Sequence, residues 1–214
     1  MKKIIFLFAS LLAFGAANAQ ITTGNSNVQS VQLTIPGVAL IKVSGTMSTF
    51  AFTTPTAGNN FADATATGTS LQYTSILQPN GLDRAVYVTA VGTSTKGFNL
   101  SVTATNGATA NGNGAIGTPS PNDAWIFVSS QTAAVLAYTG TNTFGAVGGG
   151  YNIKLVTGIQ SCYTGSSTAD GPQLTYKASV GAAGGGPAIV SGDYALLRAG
   201  TYTFSVYYTL ADQV

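Results

Sequence analysis

Alternation of apolar and polar side chains with a period of two runs through this chain and limits what it can become. Near its end, "GTYTFSVYYTL" (200–210) sets Tyr202, Phe204, Val206, Tyr208 and Leu210 against Thr201, Thr203, Ser205, Tyr207 and Thr209. Successive side chains of a strand point to opposite faces, so the stretch reads as a strand with one apolar side. "FNLSVTAT" does the same with Phe98, Leu100, Val102 and Ala104, and "QLTYKASV" with Leu174, Tyr176, Ala178 and Val180. With "VQLTI", "VALIKV", "STFAFT", "LQYTSIL", "RAVYVTAV", "AWIFVSS" and "YNIKLV" the pattern predicts about ten strands.

Between these runs lie "TPTAGNN", "LQPNGLD", "TNGATANGNGAIGTPSPND", "YTGTNTFGAVGGG" and "VGAAGGGPA", where Gly, Asn and Pro supply the positive-φ and fixed-φ positions of turns. "SSQTAAVLAYTG" fits a short helix or a strand equally, and no other segment carries a helical stripe. Short strands with one apolar face, separated by turn signals, predict an all-β fold. The expected form is an antiparallel β-sandwich, occupying residues 20–214 as one domain. A small outer-membrane β-barrel uses the same alternation, but its strands run to about ten residues with aromatic girdles, and most runs here are shorter.

The first twenty residues, "MKKIIFLFASLLAFGAANAQ", place Lys2 and Lys3 before an apolar run and close on Ala17-Asn18-Ala19. That is the order of a secretory signal peptide spanning 1–19, cleaved before Gln20; its apolar run is short of the roughly 20 residues a membrane span needs. The expected address is outside the cytoplasm by a Sec-type signal: periplasm, cell surface or medium. No membrane insertion of the mature chain is expected.

Beyond the leader, Lys42, Arg84, Lys96, Lys154, Lys177 and Arg198 balance Asp63, Asp83, Asp123, Asp170, Asp193 and Asp212. Charged residues make up 7% of the chain, against about 25% in ordinary globular proteins. No basic patch is offered to nucleic acid or to an anionic membrane. The exterior is expected to be hydroxyl and amide, which lacks the charge repulsion that keeps soluble monomers apart.

The chain has no histidine and no glutamate. The commonest general base, the usual partner of Ser and Cys nucleophiles and the commonest metal ligand are therefore missing. The aspartates sit beside turn residues, where a carboxylate accepts backbone N–H groups, and a paired-carboxylate glycosidase site would need two of them to converge. "GNGAIG" (112–117) matches G-x-G-x-x-G but is followed by "TPSPND" and no helix, so it reads as a loop. Neither a cofactor nor catalysis is expected.

Cys162 is the only cysteine; it is either a small buried apolar residue or a thiol able to link chains. Trp125, sharing a strand face with Phe127, is expected in the core. Tyr138, Phe144, Tyr151 and Tyr163 are loop or strand-end aromatics of the kind that stack on sugars, and Tyr207 lies on the polar side of the last strand.

"LVTGIQSCYTGSSTADGPQLTYKASV", with "VQLTIPGVALIKV" and "AGTYTFSVYYTLADQ", resembles a family of uncharacterised secreted Bacteroidetes proteins. The closing Gly-Thr-Tyr strand ending in "YTLAD" is also similar to the last strand of spore-coat-protein-U and WxL types of surface domain. The likeness implies an immunoglobulin-like or pilin-like sandwich. Pilin likeness implies strand donation between copies, for which "ITTGNSNVQS" alternates only weakly.

These readings converge on an exported structural, adhesive or fimbrial-like protein without catalysis, whose partners are itself or other surface proteins. Pairing is expected at the first or last strand. A carbohydrate-binding module using the loop aromatics is the alternative.

Overall fold

The computed structural model describes residues 30–92, 97–107, 113–127, 150–180 and 195–213, with short strand pieces at 21–22, 26–27 and 145–147. The leader segment 1–19 and "SSQTAAVLAYTG" lie outside the described residues. The chain divides into two units, Met1–Ile35 and Pro36–Val214. In the first, β1 (Ile21–Thr22) and β2 (Ser26–Asn27) pair antiparallel.

The second unit contains β3 (Val38–Gly45), β4 (Ala64–Ile76), β5 (Arg84–Gly92), β6 (Asn99–Thr105), β7 (Asn113–Pro119), β8 (Ala124–Phe127), β9 (Gly145–Val147), β10 (Gly150–Tyr163), β11 (Gln173–Ser179) and β12 (Phe204–Asp212). All pairings are antiparallel, and no helix occurs among the described residues. The fold is all-β. The sheet runs β12-β5-β10-β4-β11-β6-β8, with β3 on β4 and with β7 and β9 on β10.

Two long strands make this branching possible by changing partners along their length. Residues 64–70 of β4 pair with β11, whereas 69–76 pair with β3. Residues 153–159 of β10 pair with β5 and 156–163 with β7. The two long strands meet only at Cys162↔Ser75 and Tyr163↔Thr74. The end strands of the path also touch, the ring of Phe204 on β12 lying 5.1 Å from that of Phe127 on β8; β12 also reaches the interior strand β11, where the hydroxyls of Tyr208 and Tyr176 are 2.6 Å apart. Side chains from both ends therefore enter one buried cluster, which includes Leu71, Val86, Val88, Val102, Ile153 and Leu174.

The last strand follows the sequence alternation closely, with Phe204, Val206, Tyr208 and Leu210 turned toward the core and Ser205, Tyr207 and Thr209 exposed. β6 departs from it. Leu100, Val102 and Ala104 are buried as expected, but Asn99 and Ser101 on the opposite side are buried as well.

Three local expectations are corrected. "VQLTI" forms no strand; residues 30–37 have no regular hydrogen-bonded structure, because alternation alone makes a strand only where a neighbour supplies partners. "STFAFT" is also irregular; Ser48 N–H donates to Thr67 O at 2.7 Å and Ser48 Oγ accepts from Thr67 N–H, while Phe50 and Phe52 pack against the core. In the other direction, the "GNGAIG" loop contributes its last five residues to β7, whose Gly114 and Gly117 adopt φ of 87° and 83°. These glycines allow β7 to follow the irregular register of β10 next to Ser161–Cys162 and Thr157–Ile159.

Candidate functional site

The segment 164–172, which joins β10 to β11, is tied to β4 by several hydrogen bonds. Thr164 N–H donates to Tyr73 O at 3.0 Å, and Tyr73 N–H returns a bond to Thr164 Oγ1 at 3.0 Å. Leu71 N–H donates to Pro172 O at 2.9 Å. Inside the loop, Asp170 Oδ2 accepts Ser167 N–H at 2.8 Å, and Asp170 N–H donates to Ser167 O at 3.0 Å. Asp170 and Thr164 are buried. The loop thus extends the pairing of β4, and its polar residues serve backbone satisfaction.

The remaining described carboxylates are dispersed. Asp123 pairs with Lys177, and Asp212 pairs with Arg84 at 3.2 Å. Arg84 also donates to Val38 O and, at 3.1 Å, to Ser75 Oγ, tying the start of β3 to β4 and the end of β12. Among the described residues no three of His, Cys, Asp and Glu are grouped as metal ligands.

Cys162 is 4% exposed and packs in the core cluster. Burial raises its pKa above the ordinary thiol value, so the nucleophilic thiolate is disfavoured. Trp125 is buried but faces away from its strand neighbours Ala124 and Ile126, which belong to the core cluster; Lys177 Nζ sits 5.3 Å from its ring centroid. Tyr138 and Phe144 lie outside the described residues, as does the side chain of Tyr151. Tyr163 at the end of β10 and Tyr207 on β12 are exposed, and no ring contact joins them.

Two exposed features stand out. The first is "VQLTI", in which Val31, Leu33 and Ile35 are 84%, 81% and 68% exposed, so three aliphatic side chains of an unpaired segment face solvent. The second is a cleft of about 580 Å³ within the larger unit. Phe50, Phe52 and Phe61 from the connection between β3 and β4 line one part of it, and Phe98, Tyr202 and Phe204 another. Phe98 is the hub of these rings, 6.3 Å from Phe52, 5.4 Å from Tyr202 and 6.0 Å from Phe204. "STFAFT", expected as a strand, instead supplies this wall, and the density of Phe between 50 and 61 is its signal in the sequence.

Comparison with protein-family models, curated proteins and solved structures finds no match to this chain.

Proposed function

We propose that this is an exported, non-catalytic structural protein of the cell surface or envelope, built as a two-layered sandwich and assembling by strand addition between copies. The observation that carries the reading is the exposed alternation of Val31, Leu33 and Ile35 in a segment without strand partners. An isolated soluble monomer gains nothing from three aliphatic side chains in water. Burying each on a partner contributes about 1.5–3 kcal/mol, and edge pairing adds main-chain hydrogen bonds.

Acceptor edges are available. Among the described residues β3 pairs only with β4, and β12 only with β5. β3 exposes Leu40 and Val43 and carries one charge, Lys42, so it has little of the charge that protects ordinary edges. The meeting of Phe204 with Phe127 across the sheet supports the layered form, since it requires the ends of the strand path to face one another.

The test is the association state of the form beginning at Gln20, followed by light scattering and electron microscopy over rising concentration. The wild type is expected to form oligomers or filaments that persist in high salt. The triple substitution Val31→Thr, Leu33→Thr, Ile35→Thr keeps β propensity while removing the aliphatic side chains, and is expected to stay monomeric with an unchanged circular-dichroism spectrum. A wild type that remains monomeric at high concentration and is not retained by cells refutes the reading, as does a triple variant that assembles equally well.

A further inference from the structure

We propose that the aromatic cleft is a binding site for a small amphiphile with an acyl body and a single anionic headgroup, of the fatty-acid class. Its volume of about 580 Å³ falls within the range of roughly 300–1,000 Å³ typical of small-molecule sites. Its walls are rings and aliphatic groups, which favour an apolar body and offer few hydrogen bonds to a sugar or nucleotide.

The charge at its rim selects the headgroup. Arg198 is the one Lys, Arg, Asp or Glu among the lining residues. It is held in place by its own loop: Nη1 donates to Ala195 O and to Leu197 O, each at 2.8 Å, and the Tyr202 hydroxyl donates to Arg198 O at 2.6 Å. These bonds engage one of its nitrogens and leave Nε and Nη2 to present a fork. Among the described residues Arg198 has no carboxylate partner, whereas Arg84 and Lys177 each have one. A positioned cation at the mouth of an apolar cleft complements a carboxylate whose tail lies inward, and it repels a cationic headgroup.

Dodecanoate below its micellar concentration is the probe, titrated calorimetrically into the protein. Saturable uptake is expected, with dodecyltrimethylammonium binding at least tenfold more weakly. Arg198→Gln, an exposed change, is expected to weaken dodecanoate binding about tenfold, the loss that follows from one charge-assisted pair. Ala51→Trp, on the irregular connection lining the cleft, fills the space and is expected to abolish uptake; cooperative thermal unfolding verifies that each variant is folded. If Ala51→Trp does not fold, Arg198→Gln decides alone. The proposal is overturned by absence of saturable uptake, by equal affinity for the two headgroups, by Arg198→Gln binding as wild type does, or by association with anionic phospholipid vesicles without uptake of free dodecanoate. The triple variant at 31, 33 and 35 is expected to bind dodecanoate normally, which separates this site from assembly.

Discussion

Replacing Gly171 by alanine tests how closely the 164–172 loop is packed on β4. Gly171 has φ of 72°, and a Cβ built there meets the carbonyl oxygen of Leu71 well inside contact distance, with Thr164 Cβ 3.2 Å away. Gly158 provides the control: its φ is 69°, yet an added Cβ meets nothing within 4 Å. Both alanines carry the left-handed backbone penalty of about 1–2 kcal/mol, partly offset by about 0.4–1 kcal/mol from a less flexible unfolded chain. Gly158→Ala should therefore cost about 1 kcal/mol or less. At Gly171 the carbonyl of Leu71 must also move, and the N–H of the same Leu71 donates to the O of Pro172, the residue next to Gly171. Leaving such a buried group unpaired costs about 1–3 kcal/mol more. The expected total is about 3 kcal/mol, a large share of the roughly 5–15 kcal/mol that holds a domain folded. Guanidinium unfolding followed by Trp125 fluorescence reads both variants, with unchanged m-values expected. Equal costs at the two glycines would refute the close approach of loop and strand.

Tyrosine burial sets an alkaline limit on stability. Burial raises the pKa of Tyr73, Tyr176 and Tyr208, with Tyr176 and Tyr208 hydrogen-bonded to each other. The folded state therefore holds protons that the unfolded chain releases near pH 10, so the tyrosine contribution to stability is flat below about pH 9 and is lost as pH rises past about 10, while the buried Cys162 thiol begins the loss from about pH 8.5. Melting temperature against pH, with tyrosinate absorbance, checks this; ionisation of every tyrosine without unfolding would contradict it. Arg84→Met removes bonds to Val38 O and Ser75 Oγ from a side chain 11% exposed, and should cost about 2–3 kcal/mol in denaturant midpoint analysis. Asp212→Asn, at a carboxylate 65% exposed, should cost less than about 1 kcal/mol.

Strands with a solvated side were legible in the sequence because their two faces differ chemically. β12 is the clearest case: each residue from Phe204 to Leu210 points as its polarity requires. β7 was hidden because Asn113, Gly114 and Gly117 carry turn chemistry, and only its position on β10 makes a strand of it. The extension of β4 through "ATATGTS" was hidden by its small residues, which look like linker until β11 is laid beside them. "VQLTI" failed in the opposite sense, having strand chemistry without a neighbour. The cleft was illegible because its rings come from segments more than 140 positions apart, Phe50 and Phe204 among them, and no local period reports such a meeting.

The scarcity of charge acquires a structural meaning from the strands that are buried on both sides. Ser70 and Gln72 on β4, Asn99 and Ser101 on β6, and Ser179 on β11 occupy the face opposite Leu71, Leu100 and Ala178, and all are buried. A lysine or glutamate in these places would have to be desolvated, at a cost of several kcal/mol per ion. A small hydroxyl costs far less, and even Ser70 Oγ and Ser101 Oγ, which have no hydrogen-bond partner, cost on the order of 1–3 kcal/mol each. The one lysine on that side of β11 whose partners are seen, Lys177, is neutralised by Asp123 and covered by Trp125. Serine, threonine and asparagine in the polar register therefore mark positions that are covered as often as positions that meet water. Among the described residues, the sheet keeps its exposed apolar groups for edges and ends, at Leu40, Val43 and Tyr207. The proposed assembly by strand addition uses the first two of these, on β3.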